Sequence, residues 1–90
     1  MSDNKNREEE NKNCIKEFNE TMLYKLNINN YKEHWSNYTI NQLSYYLELE
    51  LGELQDALLK NNKESIKLEC ADIANFAMMI YDNINKGLIK

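Results

Sequence analysis

The sequence predicts an all-α fold, an antiparallel bundle of about three helices in one domain of 90 residues. The chain has no proline and only two glycines, although 42% of its residues are hydrophobic. Its apolar residues recur at three- and four-residue steps in three stretches, and the short connections between them make neighbouring helices antiparallel. Because so small a domain has a marginal core, we expect homo-oligomerisation to complete the bundle.

The first helix is predicted from about Arg7 to Leu26. Residues 1–12 are polar and are expected to fray, so the folded domain is predicted to span residues 13–90. Asparagines from Asn27 onward end the helix, and an aromatic, polar loop follows. The apolar stripe of this helix consists of Ile15, Phe18, Met22 and Leu26.

The second helix is predicted to begin after Thr39, which forms a capping box with Gln42 three residues later. Its apolar face carries five leucines, and the segment Lys60–Asn62 ends it and caps the next helix. The third helix ends near Gly87, a typical residue just beyond a helix C-terminus. The leucines are Leu43, Leu47, Leu51, Leu54 and Leu58, and the third helix is expected to bury Ile66, Cys70, Ile73, Ala77, Ile80 and Ile84.

Charge and composition argue against several functional classes. The net charge of −4, without a basic run, argues against binding to a nucleic-acid polymer. No window approaches the run of about 18 apolar residues that would span a membrane, and the first ten residues do not resemble a signal peptide. Cys14 and Cys70 fall at predicted core positions without metal-ligand spacing, which favours two buried free thiols and a cytoplasmic protein.

Two acid pairs, Glu50-x-x-Glu53 and Glu69-x-x-Asp72, repeat the same spacing on successive helices. A three-residue step places side chains on one helix face, about 5–6 Å apart. Glu50 and Glu69 lie only about 60–70° from the centres of their apolar stripes, at the margin of the core. A third pair, Glu17-x-x-Glu20, lies about 140–160° from its stripe and is predicted to face water.

If the second and third helices pack side by side, these four carboxylates meet in one cleft. Burying an isolated carboxylate costs several kcal/mol, and no lysine or arginine lies three or four residues from Glu50 or Glu53. A shared cation would compensate, and carboxylate oxygens suit Mg²⁺, which commonly binds substrate phosphates. Periodicity alone supports this site and scattered surface acids equally.

At these residues the chain resembles the MazG-type, all-α nucleoside triphosphate pyrophosphohydrolases, in particular the short, phage-type members. The resemblance covers residues 32–83. It is carried by an E-x-x-E-L segment, a variable turn and an E-x-x-D segment on the next helix. The matching text is LELELGELQDA (residues 47–57) and ECADIANFAMMIYD (residues 69–82).

The resemblance implies that Glu50, Glu53, Glu69 and Asp72 bind one or more Mg²⁺ ions, with Mn²⁺ as a substitute. It also implies cleavage of nucleoside triphosphates between the α- and β-phosphates, in a homodimer or homotetramer. One carboxylate, Glu53 rather than Glu50, would accept the proton of the attacking water. Many relatives place phosphate-binding residues on a further helix, so here the first helix or another subunit would complete the pocket.

The loop Tyr31–Trp35 resembles the Lys-then-Trp segment of the phage-type members, although Glu33 and His34 replace glycines that are frequent there. Lys32 would contact a phosphate or remain solvated, and Trp35 would stack on a base or close the core. His34 is interpreted as a surface residue. On the third helix, Asn75 would bind substrate or orient a ligand carboxylate, unless it is a helix-surface amide.

Two other functions remain open at this stage. One is a non-catalytic helical interaction or regulatory module whose apolar stripes bind a partner helix. The other keeps the chemistry but changes the substrate, for example to dUTP or a phosphoribosyl nucleotide. No residue distinguishes the base or sugar.

Overall fold

The computed structural model describes residues 2–30 and 32–88. Met1, Tyr31, Ile89 and Lys90 lie outside the described residues, so the first residue of the predicted loop and the last two of the predicted domain are not described. The described chain forms three α-helices and a short 3-10 helix and contains no strand, which confirms the all-α prediction. The helices are α1 (Ser2–Ile28), the 3-10 helix (Trp35–Asn37), α2 (Ile40–Leu59) and α3 (Lys63–Asn85).

The predicted caps define where α2 and α3 begin. Thr39 Oγ1 accepts from the backbone N–H of Gln42 at 3.0 Å, and the Gln42 side chain accepts from the Thr39 N–H at 2.8 Å. Asn62 caps α3 by accepting from the backbone N–H of Ser65. Helix α1 begins at Ser2, earlier than the predicted Arg7, since no proline or glycine interrupts its polar first turns.

Left-handed residues end α2 and α3. Asn61 has φ +53° and Gly87 has φ +75°. After each, the next backbone N–H reaches back to a carbonyl of the last turn, as Leu88 N does to Asn83 O at 2.7 Å. These are Schellman motifs, which satisfy carbonyls that the helix leaves unpaired.

Helix α3 lies at the centre of the fold. It contacts α1, α2 and the 3-10 helix, whereas α1 and α2 do not pack against each other within the described ranges. Leu43 of α2 and Ala71 of α3 are fully buried. Because α3 is covered by two helices, its buried surface is wider than the single stripe that the sequence predicts.

The predicted apolar stripes are only partly buried, which corrects the sequence analysis. In α1, Ile15 is 59% exposed and Phe18 is also exposed, so only the C-terminal part of that stripe packs. Helix α1 contacts α3 near the C-terminal end of α1, and residues 3–20 of α1 project into solvent. Predicted core residues that are also exposed are Leu51 and Leu58 of α2 and Ala77 and Ile84 of α3.

The cysteine prediction is confirmed in one respect and wrong in another. Cys14 and Cys70 are both free thiols, as predicted. Cys14, however, is exposed rather than buried, because it lies on the projecting half of α1. Among the described residues, no helix combines the length and apolarity needed to cross a membrane.

Candidate metal centre

Acidic side chains from α2 and α3 converge in one place. One carboxylate oxygen from each of Glu50, Glu69 and Asp72 lies within 4.8 Å of the other two. Glu69 and Asp72 lie one turn apart on α3, and Glu50 faces them from α2. All three side chains are half-buried. The structure therefore brings together three of the four predicted ligands; we call these three residues the acidic cluster.

Glu53 lines the same cavity but does not belong to the acidic cluster. Its side chain is exposed. It is nevertheless close enough to Glu50 and Glu69 to raise the pKa of both carboxyls. Glu53 thus stands on the solvent side of the cluster. The third acid pair, Glu17 and Glu20 of α1, is exposed as predicted.

The acidic cluster resists ionisation when it holds no cation. Burial, with contributions from Glu69 and Glu53 beside it, raises the pKa of Glu50 from 4.5 to about 9. Burial also raises the pKa of Glu69 and of Asp72. Desolvation and neighbouring negative charge both disfavour a carboxylate, whereas a bound cation reverses the balance.

Two buried oxygens in the cluster mark where such a cation would be held. Glu50 Oε2 and Glu69 Oε2 are inaccessible to solvent and have no hydrogen-bond donor among the described residues. Two ionised carboxylates cannot donate to each other, whereas a protonated Glu50 can donate to Glu69. Such oxygens require a proton or a cation, and an all-oxygen carboxylate set suits Mg²⁺ or Mn²⁺. The residues present therefore fit a divalent cation.

Lys25, in the last turn of α1, contributes a positive charge that was not predicted. Its Nζ lies 3.4 Å from Asp72 Oδ2, and the two side chains are only 17% and 15% exposed. The Lys25 ammonium opposes the effect of burial on the pKa of Asp72. Spacing along α2 and α3 does not indicate Lys25, because it belongs to α1, where it lies about 65° from the centre of the apolar stripe. Applied to basic residues, the same helical-wheel argument would have identified it.

A cavity of about 630 Å³ opens beside the acidic cluster. This volume is typical of pockets that bind small molecules, which occupy about 300–1,000 Å³. Besides the acids, Lys25 of α1 and the two residues after that helix, Asn29 and Asn30, contribute to its wall. The aromatic residues that line the cavity are Trp35, Tyr38, Tyr46 and Phe76.

Trp35 is held in the cavity wall by α3. Its indole N–H donates to Asp82 Oδ2 at 2.9 Å, and its carbonyl accepts from Asn83 Nδ2 at 3.1 Å. His34 stacks on the indole with ring centroids 4.1 Å apart and caps the 3-10 helix through Ser36. His34 is exposed, as predicted, but it has partners that the sequence did not indicate.

Asn83→Ala should lower the free energy of unfolding by about 1–2 kcal/mol, because it removes a buried hydrogen bond and leaves a small void. Asn83 is 0% exposed, and its amide holds the backbone of Trp35. The emission of Trp35, the only tryptophan, should also shift to the red. Urea unfolding followed by fluorescence measures both effects, with Asn85→Ala as an exposed control on the same helix. Equal stability of both variants and the wild type would show that this anchor contributes nothing.

Asn75 and Lys32, two predicted substrate contacts, also line the cavity. Asn75 is not a helix-surface amide, because it is only 3% exposed and its Nδ2 donates to Met22 O of α1 at 3.0 Å. Its Oδ1 is buried without a donor among the described residues. Lys32 is exposed, and its charge, like that of Lys25, opposes the rise that burial causes in the pKa of Asp72.

Comparison of the chain with protein-family models, with curated proteins and with solved structures finds no match.

Proposed function

We propose that this chain is a Mg²⁺-dependent nucleotide pyrophosphohydrolase, for which Mn²⁺ can substitute. It would cleave a (deoxy)nucleoside triphosphate between the α- and β-phosphates, giving a monophosphate and pyrophosphate. The observation that carries the proposal is that the acidic cluster borders a cavity of about 630 Å³ that also has aromatic walls. The resemblance to MazG-type enzymes in residues 32–83 supports the same reaction.

In this proposal, the acidic cluster holds the metal through Glu50, Glu69 and Asp72, and Glu53 completes the ligand set. When bound, Mg²⁺ would neutralise the triphosphate, polarise the α-phosphorus and lower the pKa of an attacking water. Glu53 is exposed at the edge of the cluster, so it can contact that water as well as the metal site.

The chain's own residues account for the remaining steps. Glu53 accepts a proton from water as the water oxygen attacks the α-phosphorus. The bond from the α-phosphorus to the bridging oxygen breaks, and pyrophosphate leaves with that electron pair. Lys32 and Asn75 line the cavity where phosphate oxygens would lie. The only donor of the Trp35 ring is committed to Asp82, so Trp35 offers the base a ring surface rather than a hydrogen bond.

We further propose that the protein acts as a homodimer or homotetramer in the cytoplasm. The large apolar residues exposed on α1 and α2 support self-association, because a second subunit would remove their surface from water. A second subunit would cover the parts of the predicted stripes that this chain leaves in solvent.

The same exposed surface favours one alternative, a non-catalytic helical module that binds a partner helix. Ile15, Phe18 and Leu23 are exposed on α1 at three- and five-residue steps. In this alternative the apolar surface carries the function, and the acids would have no shared ligand.

The two proposals are separated by a panel of ribo- and deoxynucleoside triphosphates incubated with Mg²⁺. We expect a monophosphate and pyrophosphate from at least one of them, and no release of single phosphates. Phosphorus NMR of the products distinguishes these outcomes, and dUTP and phosphoribosyl nucleotides belong in the panel. A diphosphate product would contradict the proposed cleavage position, and no product from any nucleotide would favour the interaction module.

A further inference from the structure

The ion pair between α1 and α3 uses one carboxylate of the acidic cluster. Lys25 Nζ contacts Asp72 Oδ2 at 3.4 Å, and both side chains are largely buried. Asp72 is also one of the three residues whose oxygens converge within 4.8 Å. One carboxylate therefore belongs to an ion pair and to the candidate metal site at the same time.

The two interactions compete when the ion binds the oxygen that Lys25 contacts. Mg²⁺ binds oxygen ligands at about 2.0–2.1 Å, so an ion on Asp72 Oδ2 would lie close to the Lys25 ammonium. Two like charges at that separation repel strongly in a partly dry site. An ion on Asp72 Oδ2 would therefore displace the ammonium.

The backbone around Lys25 is held in place, whereas its ammonium borders a cavity into which it can move. Three residues earlier on α1, the carbonyl of Met22 accepts from Nδ2 of the buried Asn75, which ties this turn of α1 to α3. Lys25 lines the cavity of about 630 Å³, as do Lys32 and Asn29. Lysine carries a compact charge on a flexible stem, so its ammonium can move while its backbone remains in place.

We propose that Lys25 is an exchangeable counter-ion, which pairs with Asp72 in the metal-free protein and binds a substrate phosphate once a divalent ion takes Asp72. The inference rests on the proposed function, since it assumes that the acidic cluster binds a metal. It adds a phosphate-binding residue and makes α1 part of the site. Metal and phosphate binding are then coupled through one side chain.

This exchange predicts that Lys25→Met changes two affinities in opposite directions. Mn²⁺ alone should bind about tenfold more tightly, because no ammonium competes for Asp72; such coupling is usual between two ligands of one protein. Pyrophosphate binding at saturating Mn²⁺ should weaken by about tenfold, because the phosphate loses a cationic partner. Lys25→Arg keeps the charge and should remain close to the wild type in both measurements.

The test measures Mn²⁺ binding by electron paramagnetic resonance and pyrophosphate binding by calorimetry, at one pH for all variants. Lys16→Met, an exposed lysine on α1, is the matched control and should change neither affinity. Tighter Mn²⁺ binding together with weaker pyrophosphate binding in Lys25→Met supports the exchange.

Three other results would overturn it. If Lys25→Met leaves Mn²⁺ binding unchanged or weakens it, Lys25 does not compete for Asp72. If Mn²⁺ binds more tightly but pyrophosphate binding is unchanged, Lys25 does not bind phosphate. If the wild type binds no Mn²⁺, the proposed function itself fails, and this inference fails with it.

Discussion

Asp72→Asn and Glu53→Gln should each reduce metal-dependent pyrophosphate release by about a thousandfold or more. Asp72→Asn removes a charged ligand from the acidic cluster and also deprives Lys25 of its partner. Glu53→Gln removes the group that we assign to accept the proton of water. Both substitutions preserve side-chain size, and neither removes packing from the core.

These losses are measured as initial rates of pyrophosphate release, with circular dichroism to establish that helical content is retained. Glu48→Gln on α2 and Glu64→Gln on α3 are matched controls, because both glutamates are exposed and lie outside the cavity. Each control should retain wild-type turnover. If both site variants also retained it, the proposed site would be ruled out.

The metal-free protein should lose stability as the pH rises from about 5 to about 9. The pKa of Glu50 is raised by burial from 4.5 to about 9, and those of Glu69 and Asp72 are shifted in the same direction. In this window the unfolded chain releases protons that the folded chain retains, so folding becomes less favourable at higher pH. Glu50→Gln should remove much of this slope and raise the melting temperature of the metal-free protein near pH 8.

Mg²⁺ should restore the stability that the metal-free protein loses at high pH, because it binds the folded protein with the acidic cluster ionised. At about a hundred times its Kd, a ligand that binds only the folded state stabilises it by about 2.7 kcal/mol. For a domain of this size, that corresponds to a rise in melting temperature of roughly 10 °C or more. The rise should be largest at high pH and smallest in Asp72→Asn.

Thermal melts across pH in a chelator, in Mg²⁺ and in Na⁺ at equal ionic strength separate this account from the interaction module. For the module, we expect a melting temperature that does not respond to Mg²⁺. Stabilisation by Glu50→Leu in the metal-free protein is expected from both accounts, because the carboxyl is half-buried. A melting temperature that is independent of pH as well as of Mg²⁺ would contradict the electrostatic description of the cluster.

Local signals made much of the fold predictable. Thr39, Asn62 and Gly87 define helix ends through hydrogen bonds or backbone angles that neighbouring residues set, so the sequence locates them well. The distance of Glu50 and Glu69 from their apolar stripes also indicated that they would be half-buried. Each of these features depends on one helix at a time.

Features that depend on how helices pair were harder to predict. Asn75 lies opposite the apolar stripe of α3, so its position in the sequence fits a surface amide as well as a site residue. In the structure, α1 covers that side of the helix. The pairing of Lys25 with Asp72 likewise requires knowing that α1 contacts α3 near the acids. A stripe of apolar residues also does not reveal which of its members pack within the same chain, and here Ile15 and Leu58 are exposed.

The most direct measurement of the central claim is an anomalous difference map from crystals of this protein grown with Mn²⁺. We predict a strong peak among Glu50, Glu69 and Asp72, with an oxygen of each residue at a distance typical of coordination. Lys25 should have moved away from Asp72 in that structure. Mn²⁺ found only at exposed acids such as Glu48, with the Lys25–Asp72 pair intact, would contradict the account.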